Sequence, residues 1–546
     1  MKTEANKKGI TRRDFIKNAA VGTAGVASIS LLGACAPKVV QTDPSLMDTA
    51  ATAAADSETV AATPASRIGE VKETYDADIV VVGGGGSGMS AALEAANNGK
   101  NVILFEKLAA TGGSSQFAEG IAAVESSVQK EQGITLTKEF VYDEFINYSH
   151  WRANPDVVSA FVNHCAETVD WLKSMGVVYT IVTAFNPDSD IKTWHFIDGK
   201  VASATKAVYE YGVKAGVNFM METSGIELLL ENNQIIGVLG EKSDGTVIKV
   251  NTKAVVLGTG GYARNPDMIR KYTQYDPDTV NPGGSLGNTG DGIRMAFDSG
   301  ADDFGMGLLM LNGATVEGKS LTSHVNNAAT QPYLWVNTTG KRYSSEMAVM
   351  EFPNAGNVLA NQPGGIQFTI LDSDLIKHLV EDGNEIGVGA YVLTGTKLTE
   401  LEAELEDDLA KGVIAFKSDT IEGLAQAIGV DPTTLAETVE DYNRICDQGV
   451  DDKFYKPKFL YGIKTAPFYA LKSKNTFVIT IGGIKINGNM EVIGKDNLPI
   501  GGLYAVGVDG GGLYGDTYSA NLAGAACGFA FTSGRIAAQS AIKYIG

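Results

Sequence analysis

Cysteine, histidine and tryptophan are scarce in this chain, at four, five and four among 546 residues. Cys35, Cys165, Cys446 and Cys527 stand far apart, so the sequence offers neither a disulfide framework nor paired CxxC zinc ligands. No CxxCH occurs, which excludes a covalently attached c-type haem; any haem on an electron path must sit on another protein. The histidines form no metal-ligand spacing, and no metal site is expected. Basic residues are outnumbered, 44 Lys and Arg against 64 Asp and Glu, for a formal charge of −20. That balance argues against nucleic acid or an anionic lipid surface as a direct partner and suits a basic redox protein. The longest early apolar stretch, 19–32, falls short of the ~20 residues of a permanent membrane span.

What is present begins with an address. Arg12-Arg13 lie in a basic segment ahead of that short apolar stretch, the pattern of a twin-arginine export signal. The stretch ends Leu32-Gly33-Ala34-Cys35, which resembles the lipobox of bacterial lipoproteins and would make Cys35 the lipidated new N-terminus. The bland reading of Cys35 is a small residue at an ordinary cleavage site. Residues 1–35 are therefore expected as signal, and 36–75, rich in Ala, Thr, Ser and Asp without apolar periodicity, as a disordered tether. The expected location is the outer face of the cytoplasmic membrane, touched only through the lipid anchor.

The informative stretch is 79–88, IVVVGGGGSG, followed by an Ala-rich helix pattern, a second apolar strand at 102–105 and then Glu106. This order predicts a dinucleotide clamp. Gly83 permits the tight turn off the strand, Gly85 lets backbone approach a pyrophosphate, and Gly88 lets the helix pack closely on the sheet. Gly86 and Ser87 complete the loop, the pyrophosphate would cap the helix, and Glu106 would accept from ribose hydroxyls. Further strand-to-glycine patterns recur at 254–261, 287–296 and 502–507, the last leading into a helix from about 521 whose first turns hold Ala523, Gly524, Ala525 and Ala526. Each loop alone reads as an ordinary turn; in this order they predict an α/β fold with a Rossmann-like domain.

In that order the motifs resemble the flavoprotein family of soluble fumarate reductases, urocanate reductases and 3-ketosteroid 1-dehydrogenases over roughly 77–546. The segments that carry the resemblance are GGGGSG with Glu106 and Lys107, TGGSS at 111–115, TGGYARNPDM at 259–268, NTGDGIRMA at 288–296, NTTGKRY at 337–343, PFYA at 467–470, TIGG at 480–483, GLYAVG at 502–507 and SGRIAA at 533–538. The resemblance implies an FAD-binding domain over 76–310 and 466–546, with an inserted α+β capping domain over 311–465. It implies FAD as cofactor, held by Gly83, Gly85, Gly86, Ser87, Gly88, Glu106, Lys107, Gly112, Gly113, Ser114, Ser115, Gly260, Gly261, Asp291, Gly507, Asn521 and Leu522. Ser114 and Ser115 would lie near the isoalloxazine.

The departures from the family pattern bear on substrate. Fumarate reductases place an arginine proton donor where this chain has Met350, a histidine where it has Ile479, and a carboxylate-binding arginine where it has Asn521. Burying a dicarboxylate without those groups leaves its charges unpaired, at several kcal/mol per ion. A pocket of Met350, Val478 and Ile479, with His324 where the family's cap turns toward the flavin, instead predicts a bulky neutral enone or unsaturated lactone. With the arginine missing, tyrosine is the natural acid, and Tyr518, Tyr333 and Tyr514 are the candidates; the ketosteroid enzymes use tyrosines in this way. Each has a bland alternative as a packed aromatic with a satisfied hydroxyl. His195 is expected at the pocket mouth.

Within the family the export signal, lipobox and apolar pocket most resemble exported cardiac-glycoside reductases. That likeness implies electrons from a membrane-bound multihaem cytochrome, and it raises an iron–sulfur cluster, for which three unlipidated cysteines cannot supply four thiolates. The expected activity is hydride transfer from reduced flavin to an activated C=C bond. The alternatives are a ketosteroid-type dehydrogenase, a fumarate- or urocanate-type acid reductase, and a flavin-holding relay that transforms nothing.

Overall fold

A computed structural model describes residues 69–183, 189–389 and 391–546. Cys35, the export signal and the tether up to residue 68 lie outside the described residues. The tether ends earlier than expected, because Val71–Asp76 is a strand paired parallel to Val247–Asn251. Its short alternation, with Val71, Glu73 and Tyr75 on one side, is too brief to stand out against the polar run before it.

The described residues from 69 to 546 form one compact unit built on a mixed α/β plan. At its centre, fully buried Ile79–Val82 is flanked by Val102–Phe105 and Ala254–Leu257, with Asn218–Met220 and Pro499–Ala505 beyond, all parallel. Continuous runs of Val, Ile and Leu suit these strands, since helices cover both faces of a parallel sheet. The helix Gly86–Asn97 follows the first strand directly and packs against the last helix, Ala525–Ile545. Small residues on both let them approach closely: a Cβ on Gly534 would lie 2.1 Å from the Ser87 carbonyl.

A second buried cluster draws on residues between Val316 and Leu471, around a sheet in which Phe468–Thr480 pairs with Ile366–Leu371, which pairs in turn with Leu334–Val336. Phe468–Thr480 is a strand of 13 residues. Its first half lies in this cluster and its second half, with Phe477 and Ile479, in the core around the parallel sheet. Among the described residues no helix is long and apolar enough to cross a membrane.

Candidate active site

A cavity of about 630 Å³ runs from the carboxyl ends of the parallel strands to the underside of the second sheet. Its near end is the glycine clamp. Gly83 has φ +110, and a Cβ there would lie 2.2 Å from the Gly258 carbonyl oxygen; a Cβ on Gly88 would lie 1.9 Å from the Gly83 oxygen. Those two glycines are demanded by the protein's own packing. Gly85 differs, for a Cβ there would meet no protein atom closer than Gly113 Cα at 4.0 Å and would fill the cradle instead. The backbone at this point caps the helix Gly86–Asn97, whose first N–H groups and positive dipole end suit a diphosphate.

Glu106, buried at the end of its strand, accepts from Gly84 N–H at 2.7 Å and from Leu108 N–H at 2.8 Å. Each oxygen keeps a lone pair for a ribose hydroxyl. Burial pushes its pKa up, and those backbone donors oppose the shift. Lys107 donates to Thr289 at 2.6 Å and Asp291 at 2.7 Å. Ser114 Oγ accepts from Ser285 N–H and from the Asn288 amide at 2.9 and 2.8 Å, which fixes this loop on the cavity wall. The residues present therefore fit FAD.

Of the residues expected to hold it, Gly83, Gly85, Gly86, Ser87, Glu106, Lys107, Gly113, Ser114, Ser115, Gly260, Asp291 and Gly507 share the cavity wall. Gly88, Gly112, Gly261 and Leu522 stand behind it: Gly112 N–H donates to the Gly84 carbonyl, and Gly261 N–H to Asp509. Asp509 is a residue that sequence reasoning missed. Fully buried, it accepts from Gly261 N–H and Thr259 Oγ at 2.8 Å, and from Thr259 N–H, so it ties two glycine loops together. An acid lodged among Gly507, Gly510 and Gly511 was its signal.

Five of the expected site residues need correction. Tyr333 is not on the wall; it is fully buried in the second core, its ring edge-on to Tyr461 at 5.8 Å, and Trp335 takes the wall position instead. Met350 turns inward on the short 3₁₀ turn Glu346–Met350 and leaves the surface of the chamber to Val349. His324 begins the helix His324–Ala329 off the wall, where its Nδ1 accepts from Glu400 N–H at 2.8 Å; Leu321, Asn326 and Thr330 face the chamber. His195 is likewise absent from the wall, because alternation along Trp194–Ile197 gives that face to Trp194. Asn521 donates to Glu144 at 3.1 Å, away from the cavity. Val478 and Ile479 do line it.

Tyr518 lines the chamber and is 2% exposed. Its oxygen accepts from Gly524 N–H at 3.1 Å, at the entry to the last helix, and its ring stacks on Phe352 at 5.8 Å. Burial pushes its pKa above the ordinary value, and the N–H groups of Gly524, Ala525 and Ala526 pull against that. Tyr514 stands behind it, ring centroids 5.4 Å apart, with a buried hydroxyl that has no partner among the described residues. Cys527 is also on the wall; burial pushes its thiol up to about 12, so it remains protonated and unreactive. Among the described residues no group of three His, Cys, Asp or Glu could hold a metal ion.

The family model described as FAD binding domain matches residues 78–521. The chain belongs to that family. This FAD binding domain protein is 39% identical over 479 residues to vinyl phenol reductase of Lactiplantibacillus plantarum, covering 86% of this chain and 96% of that one. It is 27% identical over 582 residues to digoxin reductase of Eggerthella lenta, covering 96% and 95%. The open conformation of a flavocytochrome c3 fumarate reductase superposes with a TM-score of 0.68 at 25% identity, covering 87% of this chain and 79% of that one. The 3-ketosteroid Δ1-dehydrogenase of Sterolibacterium denitrificans gives 0.69 at 19% identity, covering 86% and 100%, a likeness of fold. The chain is an FAD-dependent oxidoreductase of a family that acts on C=C bonds.

Proposed function

We propose that this protein reduces the C=C bond of a neutral, activated alkene, such as an enone, an unsaturated lactone or an aryl alkene. One observation carries the reading: among the described residues walling the chamber, the only basic side chain is Lys107, and it is spent on Thr289 and Asp291 beside the clamp. A substrate carboxylate would be buried against Val349, Phe352, Val478, Ile479 and Trp335 with no countercharge, a cost of several kcal/mol. The relatives named for vinyl phenol and digoxin support a neutral substrate.

FAD, when bound and reduced, supplies the hydride. The chain's part is to hold the alkene flat against that face, exclude water and deliver a proton. Tyr518 is the acid: its hydroxyl is the buried phenol on the wall, and Gly524 N–H and the positive end of the last helix stabilise its oxygen after the proton has left. Asn312 has no hydrogen-bond partner among the described residues and faces the chamber beside Met310, so it can donate to an activating carbonyl. The export signal, the lipid anchor at Cys35 and electrons from a membrane-bound multihaem cytochrome complete the proposal; the sequence motifs and the flavocytochrome likeness support them.

Anaerobic reoxidation of dithionite-reduced holoprotein tests it. Enone steroids, cardenolides or vinyl phenols should restore the oxidised flavin spectrum, and fumarate and urocanate should not. Rapid turnover of the two acids with the neutral alkenes inert overturns the reading. Tyr518→Phe should keep its FAD and lose turnover by about 10²–10⁴, the usual range for a missing general acid; unchanged turnover moves the acid elsewhere.

A further inference from the structure

The far end of the chamber contains an unassigned recognition site. We propose that Trp335 and Asn326 together select alkenes carrying a flat ring with a hydrogen-bond acceptor oxygen, a substrate class within the function proposed above and resting on it.

Trp335 is 2% exposed yet forms part of the wall. Its Nε1–H donates to the Gln331 carbonyl at 2.8 Å, so the indole has no polar demand left, and the little of it that reaches the chamber is an apolar edge. It is also held rigidly. Tyr343 lies behind it, near parallel at 26° with centroids 6.5 Å apart, and is itself tied by its hydroxyl to Gln367 at 2.6 Å. The Gln331 side chain accepts from Glu385 and Ile386 N–H and donates to the Asn327 and Ile386 carbonyls, which locks Ile386 of the wall to the same frame. An indole edge fixed on several sides narrows the chamber to a slot that admits a flat ring with little entropic loss.

Asn326 supplies the polar half. It is 1% exposed, and the space it borders is the chamber. Its Oδ1 accepts from Val316 N–H at 2.9 Å, which settles the orientation of the amide. Its Nδ2 has no hydrogen-bond partner among the described residues. The other amide on this part of the wall, Gln367, is committed at both ends, to Tyr343 and to Thr369 and Ala329. Asn326 Nδ2 is thus a donor seeking an acceptor from the ligand. The helix that carries it ends at Ala329, whose carbonyl accepts from Thr369, and Thr369 pairs directly with Trp335 across the sheet. Donor and indole therefore stand on neighbouring elements.

The test uses one reactive group with varied tails: 4-arylbut-3-en-2-ones bearing para-methoxy or para-ethyl, which match in shape and differ in the acceptor oxygen, and the saturated-ring 4-cyclohexylbut-3-en-2-one. Wild type should favour aryl over cyclohexyl, and Trp335→Leu should erase that ratio by about tenfold, mainly through KM, while Trp335→Phe keeps most of it. Asn326→Asp retains an acceptor for Val316 N–H but loses the donor; it should lower the methoxy-to-ethyl ratio by about fivefold, and comparing ratios between variants cancels intrinsic reactivity. Flavin content should stay at the wild-type level in all three variants. Turnover with the same ratios in wild type and variants overturns the recognition site alone. If no enone reoxidises the reduced wild-type flavin, the function proposed above falls, and this site with it.

Discussion

His195 is a side chain whose setting fixes its protonation. With 0% exposure, its Nδ1 faces the Thr193 carbonyl at 2.8 Å and must carry the hydrogen, while Nε2 accepts from the Ser126 hydroxyl at 2.6 Å. Burial brings its pKa down to about 4. Above pH 6.5 the folded and unfolded states are both neutral, and its contribution is complete. As pH falls from 6.5 toward 4, the unfolded chain takes a proton that the fold refuses, and stability drops by about 3 kcal/mol. Denaturation midpoints of wild type should therefore converge on those of His195→Gln across that window; parallel curves would show that His195 does not titrate on unfolding. The same side chain shows what a single sequence hides. His195 and Trp194, Tyr333 and Trp335, Met350 and Val349 are near neighbours of which the second of each pair reaches the chamber. Strand parity decides between His195 and Trp194 and a 3₁₀ turn between Met350 and Val349, while Tyr333 lies ahead of the strand Leu334–Val336 and is not bound by its alternation; local pattern does not supply where those elements begin.

At the scale of the element, the clamp separates two jobs that a glycine can do. Gly85 has extended backbone, φ −78 and ψ −179, and no close protein neighbour, so Gly85→Val should fold with an unchanged apoprotein melting temperature yet purify colourless. A yellow variant would contradict this. Gly88→Ala should show the reverse weighting, costing about 1–3 kcal/mol because its methyl collides with the Gly83 carbonyl; thermal melts of the two variants side by side check the contrast. The clamp was legible because strand, turn, helix and acid are contiguous and each glycine answers a local steric demand. The helix entry was legible only in part: the sequence reading began the helix at about 521, whereas it starts at Ala525 behind Gly524, where φ is +84 and a Cβ would lie 2.7 Å from Ile121, a demand set by a distant strand. The far wall was not legible, since Asn326, Trp335, Gln367 and Ile386 meet only through sheet pairing and the Gln331 hub. Its buried support is equally non-local: Arg342 grips Glu346 and Asp451, and Lys456 donates to the Pro332 carbonyl just ahead of the Trp335 strand.

For the whole molecule, the charge of −20 governs encounter more than fold. Reduction of the holoprotein by a cationic electron donor should slow about tenfold or more as ionic strength rises from about 0.01 to 0.15 M, when the screening length shrinks from ~30 to ~8 Å. Stopped-flow reduction against salt measures this, and an indifferent rate would rule out steering by the acidic surface. The parallel sheet followed from the order of motifs, and the inserted second core from the family resemblance that those motifs carry. The start of the ordered chain did not, because Val71–Asp76 becomes a strand only by virtue of the edge that Val247–Asn251 offers it. One ribbon, Phe468–Thr480, joins the two cores, and its far end sets Val478 and Ile479 into the wall of the chamber. The two storeys thus share one beam, and a tilt of the upper one is transmitted along the backbone to those two side chains of the chamber wall.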